Sequence, residues 1–189
     1  MIILPSKLTV RDISVICILT ALCIASNYAL IGLPNVNIMD ITVFASGYVF
    51  GSLVGTIVGA LSWVIYGFIN PFGFNLPIWL ATILGESLFG LVGGLVRTIR
   101  KNNPGNDVLK FNCEMALWGF TLTIAYDLFT NIVFAFSFGA SLTYAFVSGW
   151  LLPPWFGIVH EASNTVLFFL AFYPLLKAIE RVKEGGTNG

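Results

Sequence analysis

Charge is scarce in this sequence. Asp, Glu, Lys and Arg make up 10% of its 189 residues, nine basic against nine acidic, where a soluble domain carries roughly a quarter. So few charges cannot cover the surface of an ordinary soluble enzyme, and a hydrophobic share of 57% excludes a disordered chain. Zero net charge leaves no basic footprint for a nucleic acid. Cysteine is thin as well: Cys17, Cys23 and Cys113 stand in apolar runs without metal-ligand spacing, so neither a disulfide framework nor a zinc site is expected. The sequence has no Gly-x-x-x-x-Gly-Lys-Ser/Thr phosphate loop, so it cannot by itself drive transport with ATP. It also lacks a His-Glu-x-x-His zinc pair and a Gly-x-Ser-x-Gly elbow. No cofactor and no metal are expected. A mean hydropathy of +0.90 points instead to an integral membrane protein.

A helix needs about 20 apolar residues to cross a bilayer. Residues 13–33, 78–96, 115–138 and 155–176 each supply such a run, the first ended by Pro34 and the last opened by Pro153-Pro154. The first run is too long, and lacks a cleavage site, to be a signal-peptide core. Residues 40–69 are generous for one helix and short for two. Gly47, Gly51, Gly55 and Gly59 recur there every fourth position, the spacing of one closely packed helix face. Placement of Lys and Arg decides between the two. All nine lie in three clusters: Lys7/Arg11, Arg97/Arg100/Lys101/Lys110 and Lys177/Arg181/Lys183. Short basic flanks stay cytoplasmic, and all three clusters share one side only if residues 40–69 form two short helices that turn near 50–52. The sequence therefore predicts an all-α membrane protein, one domain of six helices, with both termini cytoplasmic. The helices are expected at about 12–33, 38–50, 52–69, 78–99, 114–138 and 155–181. The connections 32–39, 70–77 and 139–154 then face outward and carry no Lys or Arg. The last of these, with Tyr144, Phe146 and Trp150, is suited to a short interfacial helix or an aromatic belt.

Ionisable groups inside a bilayer are costly and usually face a cavity or a partner. At about 1.5 Å per residue, Glu86 lies roughly 12 Å below the outer end of its helix, Asp127 and Asn131 roughly 16 and 10 Å, and His160, Glu161 and Asn164 roughly 8 to 14 Å. Asp127/Asn131 and His160/Asn164 are each four apart and share a helix face. Trp63, Tyr66, Trp79 and Tyr126 fall near the same depth and can supply aromatic walls. Apolar walls with a few convergent polar groups make a small-molecule site. Without Lys or Arg on that side, a carboxylate-rich pocket should prefer a cationic or hydrogen-bond-donating ligand to an anion. His160 and Glu161, as neighbours, could also neutralise each other. On the first helix Cys17, Ala21, Ala25 and Ala29 form a small-residue stripe, fit for packing within the bundle or for docking another membrane protein.

With these residues in place, the chain resembles the substrate-binding S components of energy-coupling factor (ECF) vitamin transporters over nearly its whole length. The resemblance is carried by Asn37-Ile-Met-Asp40, by the run from Gly47 through Gly51, Gly55 and Gly59, by Asn70-Pro-Phe-Gly73, and by Ala21-x-x-x-Ala25. It implies capture of a vitamin or related micronutrient on the outer side. It also implies association with a transmembrane coupling (T) subunit and two ABC ATPases, which would supply the missing ATP site, and toppling in the lipid bilayer to release the ligand inward. By resemblance the ligand would meet Asn37, Asp40, Asn70, Asn75, Glu86, Asp127, Asn131 and the segment from His160 to Asn164, and the stripe at Ala21 and Ala25 would face the T subunit. Many family members carry an acidic residue in the latter half of the third helix, where this chain has Trp63. Thiamin or its pyrimidine precursor, donor-rich and stackable on Trp and Tyr, suits such a pocket best; riboflavin, a pyridoxine vitamer or a modified-base precursor stays open. Two other readings stand beside transport: an MreD-like morphogenetic scaffold, whose buried carboxylates would be structural, and an intramembrane enzyme built on His160 and Glu161.

Overall fold

Polar residues at segment ends decide where the helices begin. Thr9 caps α1 (Val10–Ala29), its hydroxyl accepting from the Asp12 amide while Asp12 accepts from the Thr9 amide at 2.9 Å. Asn75 caps α4 (Leu76–Ile99), which has Pro77 in its first turn, and Asp107 caps α5 (Val108–Phe138). Between them run α2 (Met39–Phe50) and α3 (Ser52–Ile69); after them come α6 (Leu142–Phe146), a π-helical turn at Val147–Leu151, and α7 (Phe156–Gly185). These assignments come from a computed structural model, which describes residues 8–100, 107–152 and 155–185. Among the described residues there is no strand.

Five helices, α1, α3, α4, α5 and α7, are long and apolar enough to cross a membrane. The sixth, α2, has only twelve residues, and Met39 through Tyr48 are all buried. It packs against α1, α3, α4 and α7. A helix that is apolar all round belongs in an interior, and α2 is the axis around which the longer helices stand.

The chain turns from α2 into α3 at Gly51, whose φ of +98° is open to glycine and strained for other residues. The four glycines spaced by four are therefore not one helix face: Gly47 belongs to α2, Gly51 is the corner, and Gly55 and Gly59 belong to α3. They meet a second set on α4. A Cβ at Gly47 would collide with the Gly90 carbonyl, one at Gly55 with the Gly47 backbone, and one at Gly90 with the Gly55 backbone. Gly93 lies equally close to Phe44, and Gly94 to Ser52. Backbone touches backbone across three helices, as small-residue interfaces in lipid allow.

Beside this junction an aromatic plug fills the bundle. Phe44, Tyr48, Phe111, Phe168 and Phe172 are all buried and mostly edge to face, with centroids 5.3 to 6.4 Å apart. Cations gather at that end: Arg97 lies over Tyr48, Arg100 over Phe111 and Lys177 over Tyr173, and Arg100 pairs with Glu114.

Several helix ends differ from expectation. Helix α1 stops at Ala29, four residues short, because the chain enters a turn that leads to Asn35 at φ +51°. Helix α5 begins six residues early, at Val108, because the Asp107 cap extends it past its apolar run; its 31 residues would span about 46 Å. Lys7, Lys101 and the Pro153-Pro154 helix start lie outside the described residues, as does the side chain of Lys183.

Thermal unfolding in detergent should separate the two roles of glycine. Gly90→Ala drives a methyl into the Gly55 backbone and should destabilise by about 1–3 kcal/mol. Gly51→Ala has room but the wrong φ, and should cost a similar ~1–3 kcal/mol. Gly32→Ala, with neither constraint, should leave the transition unmoved.

Candidate functional site

The glycine junction holds α2, α3 and α4 together, while α5 and α7 pack mainly on each other. At the end away from the cations these two groups part around a cavity of about 940 Å³. That volume lies within the roughly 300–1,000 Å³ range of small-molecule sites. Its rim comes from the turns 30–37 and 70–75 and from the α6 region. Among the described residues that line it there is no Lys or Arg.

Five polar side chains are linked at and beneath its floor. Asp40 sits in the first turn of α2, where free amides and the helix dipole favour a carboxylate. Its Oδ2 lies 2.8 Å from His160 Nε2 and also accepts from Asn164 Nδ2, both on α7. His160 Nδ1 lies 3.0 Å from Asp127 Oδ1 on α5. Asn164 Nδ2 donates in addition to Thr123 Oγ1 at 2.8 Å, and Thr123 donates onward to the Gly119 carbonyl at 2.7 Å. One imidazole thus bridges two carboxylates from different helices, and both of its nitrogens are occupied. Asp40, Asp127 and His160 line the cavity; Asn164, fully buried, lies beneath it. Among the described residues no group of three carboxylate, imidazole or thiol side chains is placed to hold a metal ion.

The walls are aromatic. Trp63 and Tyr66 from α3, Trp79 from α4 and Tyr126 from α5 all line the cavity. Trp63 and Tyr66 stand edge to face at 5.4 Å, Trp79 Nε1 donates to the Trp63 carbonyl at 3.1 Å, and Tyr126 stands edge-on to His160 at 5.8 Å. Asn37, Asn70, Asn75 and Asn131 line it too. Their amides are partly used in holding the backbone: Asn70 Nδ2 donates to the Gly67 carbonyl, Asn75 Oδ1 caps α4, and Asn131 Nδ2 donates to the Asp127 carbonyl.

Two candidates are placed elsewhere. Glu161 points away from the cavity into a separate apolar crevice, where its Oε1 accepts from Trp150 Nε1 at 2.7 Å. Successive helical residues diverge by about 100°, so His160 and Glu161 serve different faces of α7 and have different partners. Glu86 is 1% exposed and does not line the cavity; its carboxyl lies behind it, against Asp40 and Trp63. On α1 the small stripe Cys17, Ala21, Ala25 and Ala29 is exposed, while Ile16, Leu19, Thr20, Cys23 and Asn27 face the bundle.

Thr123 and Asn27 join the site without having been singled out by the sequence patterns above. Thr123 sits one turn before Asp127, on the same face, and Asn27 is the lone amide in the first apolar run; both signals were present. Asn27 is buried and lines the cavity from α1.

A polar floor under aromatic walls, reached from one end of a bundle with no ATP site of its own, is the anatomy of a membrane receptor for a small solute. Comparison with known proteins bears this out at the level of family. The family model for the S component of ECF-type riboflavin transporters matches residues 7–181. No curated protein and no solved structure matches the chain. Because that match omits only six residues at one end and eight at the other, the chain belongs to the ECF-type riboflavin transporter S-component family, a family of multi-pass membrane transport proteins and not of enzymes.

Proposed function

We propose that this chain captures a flavin-type vitamin from the outer face of the cell membrane and delivers it inward as the S component of an ECF transporter. The observation that carries the reading is the cavity itself: about 940 Å³, walled by Trp63, Tyr66, Trp79 and Tyr126, over a floor where Asp40, His160 and Asp127 are already bonded to one another. A flat, uncharged heteroaromatic gains apolar and stacking contacts from such walls. The expected preference for thiamin gives way for two reasons. The matched family is described by riboflavin, and the two carboxylates that would attract a cation are both held by His160. Charge supports an orientation with the mouth outside and both termini in the cytoplasm: Arg97, Arg100 and Lys177 lie at the end opposite the mouth, as the positive-inside rule favours.

The exposed small stripe on α1 suits a helix of a T subunit, which with two ABC ATPases would provide the energy this sequence has no site for. The enzyme reading loses its support because His160 and Glu161 face different ways. The scaffold reading leaves the cavity without a purpose.

Trp63 and Trp79 line the cavity and report on its occupancy. In purified protein, riboflavin should quench their fluorescence saturably and thiamin should not; the reverse order would refute the flavin choice, and silence to a whole vitamin panel would refute the transport reading. Removing the bridging imidazole in His160→Ala should weaken binding at least about tenfold, whereas Glu161→Gln, outside the cavity, should leave affinity unchanged. For docking, Ala21→Trp or Ala25→Trp should spare ligand binding and abolish uptake into cells; normal uptake would rule out that face as the contact.

A further inference from the structure

Glu161 has no part in the vitamin cavity, yet it stands on α7, a helix apolar enough to cross the membrane. Its carboxylate lines a crevice of about 350 Å³, walled by Ile124 and Leu128 of α5 and by Phe146, Val147 and Leu151 from the segment before α7. Leu128, Val147 and Leu151 are exposed, so the crevice opens on the outer surface of the bundle, where lipid lies. Trp150 Nε1 donates to one carboxylate oxygen at 2.7 Å, but an indole brings no charge. The ion pairs among the described residues join Arg100 to Glu114 and His160 to Asp40 and Asp127; none includes Glu161. From Phe111 to Leu176 the sequence holds neither Lys nor Arg. A carboxylate facing lipid is costly without a counter-charge, and the helices around this one offer none.

Depth and wall chemistry select the source of that charge. Glu161 is five residues into α7 from Phe156, which lines the cavity, so it lies about 7.5 Å along the axis from the end that carries the mouth. Trp150 beside it marks the level at which interfacial aromatic residues meet lipid headgroups. Apart from the carboxylate and the indole N–H already spent on it, the side chains lining the crevice are hydrocarbon. Such walls suit an acyl chain and give a water-soluble solute little to bond. We propose that the crevice seats a membrane lipid whose headgroup carries a primary ammonium, the ammonium pairing with Glu161 and an acyl chain lying against Ile124, Leu128 and Leu151. A primary ammonium brings three N–H donors to the carboxylate; a trimethylammonium brings none, and an anionic headgroup is repelled. This seat is separate from the cavity and holds whatever the cavity binds: the segment before α7 turns Tyr144, Ser148 and Gly149 to the cavity and Phe146, Val147 and Leu151 to the crevice.

Native mass spectrometry tests this on protein released from nanodiscs that hold equal shares of phosphatidylethanolamine, phosphatidylcholine and phosphatidylglycerol. The wild type should retain phosphatidylethanolamine at least about tenfold over either other lipid. Glu161→Gln keeps an oxygen for the Trp150 indole and loses the charge; it should retain the three lipids alike, with helical content by circular dichroism unchanged. Leu128→Trp, which fills the crevice and leaves the carboxylate in place, should also lose the retained lipid. A wild type without preference, or a Glu161→Gln variant that keeps it, would overturn the proposal. Phosphatidylcholine retained as well as phosphatidylethanolamine would overturn the hydrogen-bonded ammonium. A protein adduct in place of the lipid, a second copy or another chain, lost in Glu161→Gln, would give the crevice to a protein partner and overturn the lipid.

Discussion

The imidazole of His160 between Asp40 and Asp127 is the contact on which the arrangement of this bundle depends. In hydrocarbon an isolated ionisable group costs on the order of 3 kcal/mol or more, so three such groups persist there only when they satisfy one another. The contact joins α2, α5 and α7, helices far apart in sequence, and fixes the distance between the glycine-packed block and the α5–α7 pair. Asn164 and Thr123 extend the same network downward and leave it little freedom to rearrange. What looks like binding machinery is thus also the tie that keeps the two halves of the bundle in register. Where the halves diverge above that tie, there is a cavity.

The two halves use different means of cohesion. Between α2, α3 and α4 the backbones themselves are in contact through Gly47, Gly55 and Gly90, and no side chain could be inserted without moving a helix. Between α2 and the α5–α7 pair the contact is made by side chains: the aromatic plug below and the polar bridge above. Lipid offers helices no hydrophobic drive to associate, so close packing and hydrogen bonds must do it. Here they are divided between the two seams.

Much of this was legible in the sequence because the bilayer constrains it so strongly. Run lengths and the placement of Lys and Arg pointed to a chain turning within residues 40–69, and the turn stands at Gly51. Depth counting brought Asp127 and His160 to one level, and they touch. What depth counting cannot give is azimuth. It put Glu161 beside His160, yet one residue on a helix is a rotation of about 100°, enough to turn Glu161 out of the cavity and against Trp150. It also treated Glu86 as a cavity residue when α4 carries it behind Asp40. The α4 glycines escaped notice because their irregular spacing shows no periodic stripe; their meaning lies in the glycines they face on α2 and α3. Asn27 does not stand out for the opposite reason: one amide in a long apolar run looks like ordinary helix glue, and only the fold puts the residue at the cavity.

The plug beneath the floor has a mechanical consequence. Phe44, Tyr48, Phe111, Phe168 and Phe172 fill the half of the bundle below Asp40 and His160, and the residues that line the cavity stop at that floor. A solute resting on the floor therefore has no path through these helices. Opening one would separate stacked rings and break the carboxylate–imidazole contacts, exposing bare ionisable groups to hydrocarbon. Moving the whole bundle instead keeps every one of those contacts and brings the mouth itself to the other side. The toppling that the resemblance to ECF S components implies would leave these ties within the bundle intact.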